Sequence, residues 1–181
     1  MPKIIEDAEK RILEVAKEEL YQDSPSSFSM RVIAKRAGIA VGTIYHYYPD
    51  KMDLIAAILL SDWDKQYQEV EDKLLHASSL EEVIQEIVSL IRSFYLDHNP
   101  IFQKYRDQTF GNYYFKLHPM FLGQIASLWE KGRDALHIVM IEESDKIIPE
   151  MILAASRNKG IRLPRFVNMI SRFIKEENKN E

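Results

Sequence analysis

The chain has 181 residues, 46% of them hydrophobic, a formal net charge of −4 and no cysteine. That length and apolar content suit one domain or a small two-part architecture with a real core. The missing cysteines exclude disulfides, thiol sensing and cysteine-ligated zinc, and the acidic balance argues against a protein that coats DNA without regard to sequence. No stretch reads as a signal peptide or a membrane span, since the apolar run Leu54 to Leu60 soon meets charge. The expected compartment is the cytoplasm.

In chain order, Ile5, Ala8, Ile12, Val15/Ala16 and Leu20 form the apolar face of a first amphipathic helix. Asp23-Ser-Pro-Ser-Ser is a loop, and Phe28 is expected to fill the gap behind it. Two short helices follow across 29–47. Ser29 is a plausible N-cap. Val32, Ile33 and Ala37 share one face of the first short helix, and Ile44 and Tyr47 one face of the second. Gly38 stands where the first must stop and positive φ is needed, Ile39 plugs the corner, and Ala34 is small where the second helix crosses. A small residue, a glycine turn and an apolar plug are the requirements of a helix-turn-helix, whose second helix docks in the major groove.

Arg31, Ile33, Ala34, Ala37, Gly38, Gly42, Thr43, Tyr45, Tyr47 and Lys51 match the N-terminal signature of the TetR family of bacterial transcriptional regulators, with Ser29, Ile39 and Ile44 as close replacements. The resemblance covers about residues 8 to 55; beyond it only length and helical character agree. Thr43, Tyr45 and Tyr47 offer hydroxyls suited to phosphate oxygens, contacts that set register, although Tyr47 also reads as a half-buried core ring. Lys51 falls in the first turn of the next helix behind Asp50 as N-cap. A cation there opposes the helix dipole, which points it to a phosphate. Arg31 reaches a guanine edge or a phosphate. Val41, Gly42 and His46 lie at the leading surface, with Val41 suited to a thymine methyl and His46 to groove or surface. Ala40 replaces the family's usual serine, so a cap and a phosphate contact are missing. From 29 to 51 the basic residues Arg31, Lys35, Arg36 and Lys51 outweigh Asp50.

Asp50 to about His76 reads as one long helix with Ile55, Ile58/Leu59, Trp63, Tyr67, Val70 and Leu74 inward. At 1.5 Å per residue it runs about 40 Å, the natural lever between head and body. Ser78/Ser79 open a central helix in which apolar positions from Leu80 to Tyr95 leave little polar face. Asn99-Pro100 is expected to end it and begin a short helix to Thr109. Gly111 and His118-Pro119 bound a break, a helix runs to about Val139, and two more span 145–158 and 164–177. The expectation is an all-α fold of about nine helices: a three-helix helix-turn-helix DNA-binding domain, residues 1–50, and a helical effector-binding and dimerisation domain, 51–181.

Nine of the 19 aromatic residues fall between Phe94 and Phe121. In proteins similar to this one the middle helices enclose an effector cavity, and such cavities are apolar with a few placed polar groups. Phe94, Tyr95, His98, Phe102, Tyr105, Phe110, Tyr113, Tyr114, Phe121 and Trp129 therefore line a pocket for a small hydrophobic or aromatic effector, or form an ordinary aromatic core. The last two helices carry doubled apolar positions, among them Ile148, Met151, Ile152, Ala155, Phe166, Ile170 and Phe173. These point to a four-helix homodimer interface, with packing inside one subunit as the alternative. A two-fold dimer would read a palindromic operator in double-stranded DNA. What the resemblance implies is a repressor released by its effector; the competing reading is a DNA-bound helical adaptor whose body docks a protein. No paired carboxylates, nucleophile elbow or phosphate loop suggest an enzyme. No cofactor or metal is expected, as His76, His98, His118 and His137 lack ligand spacing.

Overall fold

The computed structural model describes residues 8–21, 28–105, 108–141 and 143–175, for 108–116 the backbone alone. Among the described residues there are eight α-helices: α1 (Ala8–Leu20), α2 (Met30–Ala37), α3 (Val41–Tyr47), α4 (Lys51–Leu74), α5 (Leu80–Lys104), α6 (Gln108–Ala135), α7 (Ser144–Arg157) and α8 (Leu163–Ser171). None is long and apolar enough to cross a membrane. They group into two compact units, Met1–Asp62 and Trp63–Glu181. The division between these compact units falls inside α4. The first turns of α4 bury Leu54, Ile55, Ile58 and Leu59, and Asp62 is held from α1 by Lys17 and by the Tyr21 hydroxyl at 2.9 Å.

The first unit is built on Ile12, Ala16 and Leu20 of α1, Ile33, Ala34 and Ala37 of α2, and Ile44 of α3, all buried, with Phe28 beside them. Val32 is exposed, so α2 presents Met30, Ile33, Ala34 and Ala37 inward instead. Ile5 lies outside the described residues.

In the second unit, Trp63, Tyr67, Val70 and Leu74 of α4 are buried as their spacing predicts, as are Val83, Ile84, Ile87, Val88, Leu90, Ile91 and Phe94 of α5. Ser79 caps α5: its hydroxyl accepts from the Glu82 amide at 3.2 Å, while the Glu82 carboxylate accepts from the Ser78 amide at 2.8 Å. That reciprocal exchange satisfies amide groups a helix start leaves open. The bond from the Ser78 amide, and then that from the Ser78 hydroxyl, hold the Glu82 carboxyl below its ordinary pKa. Gly132 lets α6 approach α5 closely, since a Cβ there would lie 2.5 Å from Cγ1 of Val83.

Two expected breaks are absent. α5 continues through Pro100 to Lys104 and α6, starting at Gln108, runs through Pro119, so eight helices are described where about nine were expected. A proline in a helix strands the carbonyl four residues earlier. At Pro100 that carbonyl belongs to Leu96, itself 67% exposed, where water can serve as donor. α8 stops at Ser171 instead of 177. Phe173 to Lys175 then pair with Val139 to Ile141 around an isolated bridge between Met140 and Ile174, with the Ile141 amide donating to Phe173 at 2.7 Å and the Lys175 amide to Val139 at 2.8 Å.

Candidate nucleic-acid interface

The turn between α2 and α3 is made by Gly38, at φ 67° and ψ 33°, the left-handed conformation glycine adopts without cost. The Gly38 and Ile39 amides return to the last carbonyls of α2, Lys35 and Ala34, and Arg11 of α1 donates to the Ala37 carbonyl at 2.8 Å. Ser29 starts α2, its hydroxyl accepting from the Val32 amide. α3 begins at Ala40 with no side-chain cap, as the missing serine implied.

α3 has a single fully buried residue, Ile44, and so offers most of its surface outward. Tyr45 is 48% and Tyr47 41% exposed, His46 and Gly42 are exposed, and Val41 and Thr43 are half-buried. His46 lies edge-on to Tyr47 with ring centroids 5.6 Å apart. The half-buried ring expected at Tyr47 is found one residue on: Tyr48 is buried, its hydroxyl directed at Glu9. Burial, and then the Glu9 carboxylate, push the Tyr48 pKa to about 12. Residues three and four after Ile44 share its face, so the spacing alone did not separate Tyr47 from Tyr48.

α4 opens on a reciprocal cap. The Asp50 carboxylate accepts from the Asp53 amide at 2.8 Å and the Asp53 carboxylate from the Asp50 amide at 3.3 Å. Lys51 is half-buried with its ammonium 5.3 Å from the centre of the Phe28 ring, and desolvation lowers its pKa. The ring faces offset the unfavourable dipole at this position. Arg31 and Lys35 are exposed and have no ion-pair partner among the described residues. Arg36 does not join them. Its guanidinium is bound by Glu19 and, at 2.8 Å, by Glu18, and the Glu19 hydrogen bond above all raises its pKa. The local positive excess is therefore smaller than the sequence count, because α1 supplies two carboxylates distant in sequence.

In the second unit, Trp63, Phe94, His98, Phe102 and Phe121 form one aromatic cluster. Trp63 meets Phe94 and Phe121 edge-on at 5.1 and 4.9 Å, and His98 lies 4.3 Å from Phe94. Gln124 sits beside it, accepting from the Trp63 indole at 2.7 Å. Buried His98 binds the Phe94 carbonyl through Nδ1 at 2.8 Å. Tyr95 turns outward to Arg157, which donates to its hydroxyl at 3.0 Å, although its ring still touches Phe102. Tyr105 is half-buried. Trp129 is fully buried, but its indole is spent on Asp145 of α7 at 3.1 Å, so it ties α6 to α7. The side chains of Phe110, Tyr113 and Tyr114 lie outside the described residues.

Of the expected interface residues, Ile148, Ile152, Ala155, Phe166 and Ile170 are buried within the chain's own second unit, and Met151 and Phe173 are half-buried. The outward apolar positions are instead Ile147, Ala154 and Met169, next to Met151. A doubled stripe has one side facing its own core, and the spacing did not say which.

Residues 12–58 match the sequence profile described as bacterial regulatory proteins, tetR family. An HTH-type transcriptional regulator of Staphylococcus aureus is 29% identical over 106 residues, 57% of this chain and 56% of that protein. The HTH-type transcriptional regulator UidR of Escherichia coli is 32% identical over 80 residues, 44% of this chain and 41% of that one. The chain thus spans about half the length of the curated relatives it matches. Among solved structures, the transcriptional regulator FadR of Bacillus subtilis, in complex with stearoyl-CoA, superposes with a TM-score of 0.54 at 16% identity, covering 91% of this chain and 96% of that one. A TetR/AcrR-family regulator of Thermobifida fusca gives 0.53 at 19%, covering 92% and 95%. At such identities the likeness is one of fold.

Proposed function

Since its residues 12–58 place this chain in the TetR family of bacterial regulatory proteins, we propose that it is a DNA-binding transcriptional regulator, a repressor that holds a palindromic operator as a homodimer and leaves it when a small hydrophobic or aromatic molecule binds the body. The observation that carries the reading is the outward face of α3. Gly42, Tyr45, His46 and Tyr47 stand exposed on a helix anchored by Ile44, set by the Gly38 turn, with Arg31 and Lys35 exposed on α2. Hydroxyls and cations so placed suit phosphate oxygens and base edges. Thr43 completes the hydroxyl set, Ser29 caps α2, and in this reading Val41 meets a thymine methyl. Lys51, over Phe28, acts first on the entry to α4.

Release of DNA requires a ligand with different affinity for the bound and free conformations. In this reading the apolar ligand meets the aromatic cluster of Trp63, Phe94, Phe102 and Phe121. The test is anisotropy of DNA from just upstream of its own coding region, over a salt series. Tight binding that weakens steeply with salt, and weakens further in Tyr45→Phe/Tyr47→Phe at unchanged helicity, supports the reading. Salt-independent binding, or a variant equal to wild type, contradicts phosphate contact by α3. If neither this nor other genomic DNA is bound, the adaptor reading replaces it.

A further inference from the structure

α3 has little of its own to hold it. It is seven residues long, starts without a side-chain cap and buries only Ile44. A helix of under two turns does not keep its direction in water by itself, so what flanks α3 sets how it is presented. Both flanks are gripped by the first turns of α1. After α3, the buried Tyr48 directs its hydroxyl at the Glu9 carboxylate, 3.4 Å away. Before it, Arg11 donates through Nη2 to the Ala37 carbonyl at 2.8 Å, and a Cβ added at Gly38 would lie 3.5 Å from the same nitrogen. The guanidinium therefore lies against the turn itself.

The carbonyl it takes is the informative one. Ala37 is the last residue of α2. The Lys35 and Ala34 carbonyls are already taken by the amides of Gly38 and Ile39, at 3.3 and 3.1 Å. In a continuing helix the Ala37 carbonyl would accept from the amide four residues on. That amide belongs to Val41, the first residue of α3. Arg11 occupies the acceptor instead, and its positive charge suits the C-terminal end of a helix. Arg36 secures the same end of α2 by a second route, to Glu18 and Glu19 farther along α1. α1 thus supplies the frame in which α2 stops and α3 begins.

We infer that Arg11 is a positioning residue for nucleic-acid recognition: it ties off the end of α2 from α1, so sets the direction in which α3 is presented, and does not itself touch DNA. The inference rests on the DNA-binding reading above and assigns it a residue outside the helix-turn-helix. Arg11 is exposed and has no ion-pair partner among the described residues, so a phosphate contact is the rival role. The two roles change different quantities. A phosphate contact strengthens binding to any sequence and steepens its salt dependence. The direction of α3 governs contacts to base edges, hence the preference for one sequence over another.

Hydrogen exchange and DNA titration of the full chain test this. Arg11→Met keeps the apolar stem and removes the donors; Arg11→Lys keeps the charge without the planar fork. In the free protein, the amides of Ile44 to Tyr48 exchange roughly ten- to a hundredfold faster in Arg11→Met, the range for losing a hydrogen bond to a charged group. Those of Ile12 to Ala16 in α1 hold. The DNA arm compares a duplex from just upstream of the coding region with a scrambled duplex of the same length. Arg11→Met binds the first about tenfold more weakly and the second within about twofold of wild type, with Arg11→Lys between. Lys35→Ala marks the other behaviour, weakening both duplexes alike with a shallower salt dependence. Unaltered exchange of α3 in Arg11→Met, or loss on both duplexes in the manner of Lys35→Ala, overturns the inference. A wild-type chain with no preference between the duplexes removes the operator reading for that DNA, and the exchange arm then decides by itself whether Arg11 holds α3.

Discussion

Gly132→Ala places a methyl group where α6 runs closest to α5. The new Cβ would lie 2.5 Å from Val83 Cγ1, 2.8 Å from Cγ2 and 3.2 Å from Cβ. Carbon atoms rest comfortably at about 3.5–4.0 Å, so the overlap is about 1 Å. Val83 is completely buried, and as a β-branched residue in a helix it has one strongly preferred rotamer. It cannot swing aside, and α5 and α6 must part. Overpacking of this kind costs roughly 1–3 kcal/mol, and the short contact places it near the upper end. Alanine regains about 1 kcal/mol of helix propensity over glycine. The expected net loss is about 1–2 kcal/mol, or roughly 2–8 °C in Tm for a chain of this size. Gly123→Ala is the control. It lies in the same helix, but its Cβ would meet nothing within 4 Å, so it gains about 0.5–1 kcal/mol. Urea unfolding of both variants, with Val83→Ala alone and added to Gly132→Ala, reads the coupling directly. Equal stability for the two alanine variants, or additive effects in the Val83 pair, would refute the close-approach argument.

Arg36→Ala leaves the buried Glu19 without its guanidinium and is expected to lower the urea midpoint, whereas Lys35→Ala lowers only DNA affinity and its salt slope; chemical unfolding and DNA titration separate the two. Tyr48 has a raised pKa, about 12 against its ordinary value of 10.0. Its contribution is complete below the ordinary value and fades as pH rises through the folded one, by up to about 2 kcal/mol. Urea midpoints measured at pH 9 and 11.5 fall less in Tyr48→Phe than in wild type. Gly42→Ala meets no neighbour within 4 Å and stabilises α3, yet puts a methyl on the exposed face; thermal unfolding rises while operator affinity falls.

The head was largely legible because its signals are local. The left-handed turn at Gly38 and the side-chain caps at Ser29 and Asp50 involve backbone amides within a few residues, and a residue type reports them directly. Likewise the inward stripe of α4 from Ile55 to Leu74 follows from period alone. What required the tertiary structure was every choice between neighbouring faces or distant partners. Whether Tyr47 or Tyr48 enters the core depends on where Glu9 and α1 lie. Whether Arg36 faces DNA depends on Glu18 and Glu19, seventeen or more residues away. Pro100 is tolerated because its turn of α5 is wet, a fact of packing and not of proline. Ile148 and Ile147 are adjacent, equally apolar and oppositely placed. Sequence period determines that a helix has an apolar side, since hydrogen bonds within four residues define the helix. Burial area gained against other elements decides which side, and that quantity exists only once the chain has folded.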